Sequence, residues 1–163
     1  MDDAAAADQP SSSVLDTEIL AFETATRDLV GLALRSVEDL DVSLPQFRLL
    51  LILEEIGPAS STACAAALGV VGSSITRLAD RLHTSGHLVR GTAPDNRSVV
   101  TLALTDVGRE TVRSVTTHRR RELSSALAAL SPDVRAACAA ALTQLHVPLT
   151  ASAGDEQRRH LPM

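Results

Sequence analysis

The stretch SSTACAAALGVVGSSITRLADRLHTSGHLVRGTAPDNRSVVTLALT, residues 60–105, decides the fold. Ser60 or Ser61 caps a short alanine-rich helix at 62–68. Gly69 stops it as the residue just past a helix end, and a turn of Gly69, Val70 and Val71 leads into a second helix at 72–85. There Ile75, Leu78, Ala79 and Leu82 fall at the i, i+3, i+4, i+7 spacing of an amphipathic helix, so one face must be buried. At about 100° per residue, Ser73, Arg77, Asp80, Arg81 and Thr84 then face outward, with Ser74 and Thr76 on the flanks. Gly86 ends the helix. Two β-rich segments, 88–92 and 99–104, lie on either side of Ala93-Pro94-Asp95-Asn96-Arg97-Ser98 and predict a hairpin. Short helix, glycine, tight turn and second helix in succession are the helix-turn-helix signature.

Working outward, Ser43 with Gln46 three residues on forms a capping box, and Pro45 is tolerated in the first turn. The helix that starts there carries Phe47, Leu50, Leu51, Ile52, Leu53 and Ile56 as core and stops at Gly57-Pro58. Upstream, Leu15, Ile19, Phe22, Thr26, Leu29, Val30, Ala33, Val37 and Leu40 form one stripe from residue 14 to 40. That is roughly 40 Å of helix at about 1.5 Å per residue, a length that calls for a packing partner. Downstream, Thr105 caps and Asp106 suits the dipole of a helix running to about residue 130, whose buried face is Val112, Val115, Leu123, Ala126, Leu127 and Leu130. Ser131-Pro132-Asp133 starts a last helix with Val134, Cys138, Ala141, Leu142 and Leu145 on one side, ended by Pro148. The expected plan is a disordered tail at 1–13, a dimerisation helix at 14–41, a winged helix-turn-helix at 42–112, dimerisation helices at 113–148 and a tail at 149–163. The fold class is mostly α, with a β-hairpin wing and with terminal helices forming a dimerisation region through Leu15, Ile19, Phe22, Leu130, Leu142 and Leu145.

Composition narrows the function. Apolar residues make up 45% of the 163, yet Trp and Tyr are absent and Phe occurs only twice, so the core must be aliphatic and helical. No apolar run reaches the roughly 18 residues of a membrane span, and the N-terminus is acidic where a signal peptide is basic, so no membrane role and a cytoplasmic location are expected. Two cysteines far apart make no disulfide framework. The net charge of −5 conceals a division: residues 1–56 hold twelve acids and three arginines, while residues 69–121 hold nine arginines and four acids. Local sign governs a polyanion partner more than the total does. The chain has no lysine, so every fixed side-chain cation is a planar guanidinium able to grip phosphate or guanine with two bonds, although genome base composition produces the same bias. His83, His87, His118, His146 and His160 lack metal-ligand spacing, and no nucleophile-base pair, glycine-rich phosphate loop or paired carboxylates stand out. No metal, no cofactor and no enzymatic activity are expected.

Quoted in order, Leu68-Gly69-Val70, Ile75-Thr76-Arg77-Leu78-Ala79-Asp80-Arg81-Leu82, Gly86-His87-Leu88-Val89-Arg90, and Asp95-Asn96-Arg97-Ser98 running into Leu102-Ala103-Leu104-Thr105 resemble the MarR family of bacterial transcriptional regulators. The resemblance covers about residues 43–112. It implies a winged helix-turn-helix homodimer that places two recognition helices in successive major grooves of an inverted-repeat operator in double-stranded DNA, with half-sites about 34–36 Å apart. The protein is then a sequence-specific regulator, expected as a repressor, responsive to a small apolar or phenolic effector whose site is unknown. The competing expectation is a protein-interaction or dimerisation module that kept this fold and lost specific DNA binding. One departure favours it: relatives carry a serine or threonine cap where this chain has Val71, leaving Ser73 as the alternative cap.

On this reading Arg77 meets guanine O6 and N7, a pairing worth roughly 1–3 kcal/mol of discrimination. Ser73, Ser74 and Thr76 either reach bases and phosphates or are solvated helix residues. Arg97 probes the minor groove from the wing, and the family-like role of Asp95 is to hold it extended. Arg81 and Arg90 either fix register on phosphates or pair with surface acids. Arg119, Arg120 and Arg121 lie too far along their helix for DNA and are expected solvated or at the dimer contact, with the acidic first helix as their partner across the dimer. Cys64 and Cys138 read as small hydrophobes rather than oxidant sensors.

Overall fold

Phe47, with no exposed surface, stands at the centre of a core otherwise made of aliphatic side chains. The structure, a computed structural model, describes residues 14–93 and 99–159, with side chains described as far as Leu149. The expected tail at 1–13, the wing-tip residues Asp95 and Arg97, and residues 160–163 lie outside the described residues. In order the elements are α1 (Asp16–Arg35), α2 (Leu44–Ile56), β1 (Ala59–Ser60), α3 (Ser61–Leu68), α4 (Gly72–Thr84), β2 (Leu88–Thr92), β3 (Val100–Leu104), α5 (Asp106–Ala128) and α6 (Pro132–Arg159). This is the expected mostly α fold with a winged helix-turn-helix.

One cluster gathers Phe47, Leu49, Leu50 and Leu53 from α2, Cys64, Ala65 and Leu68 from α3, and Ile75, Ala79 and Leu82 from α4. Leu88, Leu102 and Leu104 cover it from the sheet, and Val112 and Val115 from α5. Among the described residues, none from α1 or α6 belongs to it. The sheet is antiparallel in the order β1-β3-β2, with Leu88 opposite Leu104, and Ala59 and Arg90 on either side of Leu102. The two-residue β1 was not foreseen, because so short a segment carries no period; its Ser60 also accepts from Ala63 N at 3.2 Å and caps α3. Ser43 N donates to Gln46 Oε1 at 2.8 Å, as the capping box requires.

Several boundaries and faces differ from expectation. The first helix ends at Arg35, not residue 40: Ser36 Oγ donates to Ala33 O at 2.7 Å, and the chain tightens as Val37 N bonds Leu34 O at 3.2 Å. Val37 then dips into the core, which continues the apolar spacing without continuing the helix. Leu49 is buried although the sequence reading omitted it, and Ile56 is exposed although it was read as core. Leu123, Leu127 and Leu130 are likewise exposed in the single chain. The last helix continues through Pro148 to Arg159 instead of ending there. Proline's fixed φ suits a helix, and its costs are a lost hydrogen bond and ring crowding, which here do not stop the chain.

Gly69 and Gly108 are the glycines that matter most to the geometry of the lobe. Gly69 adopts φ 69° and ψ 39°, the left-handed end that turns α3 into α4. Gly108, in the first turn of α5, lies against the wing corner so tightly that an added Cβ would sit 2.1 Å from the His87 carbonyl oxygen. That oxygen accepts from Thr105 N at 3.1 Å, so a methyl at 108 and this bond compete for the same space. Gly108→Ala should therefore lower stability by about 1–3 kcal/mol. Gly72→Ala, where nothing lies within 4 Å of the added methyl, should not. Denaturant midpoints of the two variants check this, and equal midpoints would contradict the tight corner.

Candidate nucleic-acid interface

The α4 helix is amphipathic, and the structure clamps its apolar side: Ile75, Ala79 and Leu82 are buried and Leu78 is half-buried against the same core. Its other side is held up to solvent, with Ser73, Thr76, Arg77 and Arg81 exposed and Ser74 half-buried at the edge. Arg77 and Arg81, one turn apart, line a shallow groove with Ser74, Leu78, Val70 and Pro45. Thr76 Oγ1 donates to Gly72 O at 3.3 Å, so its hydroxyl proton is used within the helix while its lone pairs face out. The helix begins at Gly72 with the extended, exposed Val71 at the cap position and no side-chain cap bond. Ser73 therefore lies inside the first turn and does not replace the missing cap.

The end of α4, the wing and the start of α5 are stitched together. His83 Nδ1 lies 3.1 Å from Leu88 O, and His87 N donates to Leu82 O at 2.8 Å. Thr105 Oγ1 donates to Gly86 O at 2.7 Å while accepting from Gly108 N at 3.1 Å, so one hydroxyl caps α5 and ties it to the turn after α4. The sequence shows the cap; the second bond, across nineteen residues, has no local signal. Buried His87 meets Ser85 Oγ through Nδ1 at 2.8 Å. Arg90 on β2 forms an ion pair with Asp80 on α4, which answers for the free chain the alternatives left open for Arg90. With the two side chains 40% and 55% exposed, the pair contributes at most about 1 kcal/mol to stability. Its effect is local: it holds a guanidinium on the wing beside the helix and offsets one acid on the exposed face. At the base of α5, the hydrogen bond and charge of Arg109 hold Asp106 below the usual carboxylate range.

Comparison with known proteins turns this geometry into a family. A model of the MarR family matches residues 40–98, from the connection before α2 to the wing. The chain is 34% identical to RV1404 from Mycobacterium tuberculosis, whose crystal structure superposes with a TM-score of 0.76 over 85% of this chain and 96% of that one. The chain belongs to the MarR family. A MarR family protein from Bacillus stearothermophilus shares the fold at a TM-score of 0.73 and 22% identity, over 85% of this chain and 99% of that one. YfiV of Bacillus subtilis (strain 168), an uncharacterised HTH-type transcriptional regulator, is 31% identical over 98 residues, which span 60% of this chain and 61% of YfiV, less than two thirds of that relative. MarR proteins are transcriptional regulators rather than enzymes.

Outside this face, Arg119 is not at a distant acid. It donates from Nε to Ser36 Oγ at 2.7 Å and from Nη2 to Ala33 O at 3.2 Å, within its own chain, and its guanidinium carbon lies 4.7 Å from the Phe47 ring centroid. Within the single chain its partners are neutral acceptors and a ring, and burial pulls the guanidinium below its usual pKa. Arg120 and Arg121 are exposed. Among the described residues no cluster of His, Cys, Asp or Glu is arranged to hold a metal ion, and no single helix is long and apolar enough to cross a membrane.

Cys64 is fully buried, and desolvation raises its thiol pKa against a smaller opposing backbone hydrogen bond, whereas Cys138 is exposed on α6. A raised pKa leaves Cys64 as the unreactive thiol at neutral pH. Iodoacetamide at neutral pH should leave Cys64 unmodified in the native protein and modify it only in denaturant, as read by peptide mass spectrometry. Rapid native alkylation of Cys64 would contradict this burial.

Proposed function

We propose that this protein is a homodimeric, sequence-specific DNA-binding regulator that acts as a repressor on an inverted-repeat operator. The observation that carries the reading is α4 itself: its apolar face is locked into the core while Arg77 and Arg81 are exposed on the other, flanked by short hydroxyl side chains. Arg77 is assigned to a guanine edge, which a guanidinium meets bidentately. Arg81 and Arg90 are assigned to phosphates that set register, with Ser73, Ser74 and Thr76 adding single bonds. The pairing of Arg90 with Asp80 fits this, since a phosphate at the wing can share that guanidinium. Arg97, with Asp95 beside it, is assigned to the minor groove on the strength of the sequence pattern.

The dimer is supported by what the single chain leaves bare. Leu15, Ile19 and Phe22 on α1 are 47–57% exposed, and Leu130 and Leu142 further along the chain are also exposed. A groove between α1 and α6, lined by Val14, Ile19, Phe22 and Leu145, has no occupant from the chain's described residues. Apolar surface on this scale marks an association site. Two copies joined through these helices would present two α4 helices to successive major grooves about 34–36 Å apart. Effector response is part of the same reading: a small apolar or phenolic ligand between the α2–α5 lobe and the dimer helices acts only by preferring one half-site spacing over another.

Anisotropy titration of the chain against its own upstream DNA tests the reading. Specific binding that survives excess competitor is expected. Arg77→Ala should cost about 1–3 kcal/mol and relax preference at one base pair per half-site. Sedimentation should give a dimer. Binding to no site better than to random DNA would instead leave an interaction module with this fold, and a monomer at micromolar concentration would overturn the two-lobe arrangement.

A further inference from the structure

We propose that Arg119 is a positioning residue that sets the angle between α1 and the helix-turn-helix lobe, and through it the spacing of the two lobes on DNA. Only the second half of this statement rests on the proposed function; the first concerns the chain alone.

The α1 helix buries none of its own residues, and it is half-buried only at Gly31, Leu32 and Ala33, near the end that meets the lobe. There the carbonyl of Ala33 is left over by the helix, because Val37 N turns to Leu34 O instead. Two donors take that carbonyl: Ser36 Oγ at 2.7 Å and Arg119 Nη2 at 3.2 Å. Arg119 Nε also donates to Ser36 Oγ at 2.7 Å, so the hydroxyl accepts from α5 and donates to α1. The carbon of the same guanidinium lies over Phe47, the fully enclosed ring of α2, 4.7 Å from its centroid. One side chain from α5 thus grips the end of α1, the start of the connection after it, and the centre of the lobe.

The chemistry asks for arginine. A planar guanidinium donates in its plane to two acceptors and stacks through its face at the same time, which an ammonium cannot do. A cation also suits the negative end of α1. The joint has leverage: a rotation of about 10° there moves the far end of a roughly 30 Å helix by roughly 5 Å. A displacement of that size at the dimer contact is about one seventh of the roughly 34 Å between successive major grooves.

The test uses the full chain with Cys138→Ser, spin-labelled at Thr24→Cys on the outer side of α1 and Thr84→Cys on α4, and diluted into unlabelled chain so that each distance lies within one protomer. With Arg119 present, pulsed EPR should give one narrow distance distribution. Arg119→Met, which keeps the apolar stem, should broaden or shift it, and Arg119→Lys should recover part of the order. Ser36→Ala removes the hydroxyl from the other side of the joint and should broaden it as well, so the inference remains open to refutation if the methionine variant fails to fold. An unchanged distribution in a folded Arg119→Met or Ser36→Ala variant overturns the proposal. On DNA, Arg119→Met should reduce the preference for one half-site spacing over its neighbours by roughly 5- to 10-fold, with base preference inside each half-site unchanged. A broadened distance with spacing preference intact overturns the link to DNA. A broadened distance in a chain that binds no specific DNA removes the functional reading and leaves the joint standing.

Discussion

Everything in the lobe depends on burying one stripe of α4. Ile75, Ala79 and Leu82 have almost no exposed surface, and each large aliphatic side chain so enclosed contributes on the order of 1.5–3 kcal/mol. The core that receives them has one aromatic ring, Phe47, and is otherwise Leu, Ile, Val, Ala and Cys. Side chains of that kind fit closely only when helices approach closely, which the alanine-rich α3 permits. Fixing the buried stripe fixes the opposite one, so the exposure of Arg77 and Arg81 is a packing consequence rather than an independent feature.

The parts legible in the sequence were those with a local signal. The stripe on α4, the capping box of Ser43 and Gln46, Gly69 past the end of α3 and the hairpin either side of residue 95 are all short-range patterns, and they located the helix-turn-helix and its wing. The illegible parts were bonds between residues far apart in sequence. Val37 keeps the apolar spacing of α1 after the chain has left the helix, so period alone overran the true end. Arg119 stands in a run of three arginines, which reads as a solvated face, and its acceptors are a hydroxyl and a carbonyl 83 and 86 residues away. A surface acid was one of two expected partners for Arg90, but the sequence could not name Asp80, because strand register decides which side chain the helix meets.

Charge is arranged along the chain as deliberately as apolar surface. The first 56 residues carry twelve of the twenty acids, and the segment from α4 to Arg121 in α5 carries nine of the fifteen arginines. Within that basic segment the acids are mostly engaged: Asp80 with Arg90, Asp106 with Arg109 and Glu110 with Arg113. Among the described residues these pairs leave Arg77 and Arg81 as cations without an acid partner on the exposed face of α4, so a protein acidic overall still presents arginines there.

The corner formed by His83, His87, Thr105 and Gly108, reinforced by Asp80 and Arg90, ties α4 to the strands β2 and β3 and to α5. A helix and strands tied in this way do not follow the local width of each groove independently. On the proposed reading, the duplex must take up the mismatch by bending or by narrowing its minor groove, and that elastic work depends on base steps no side chain touches. Operator choice then reflects how readily a sequence deforms as well as which bases Arg77 meets.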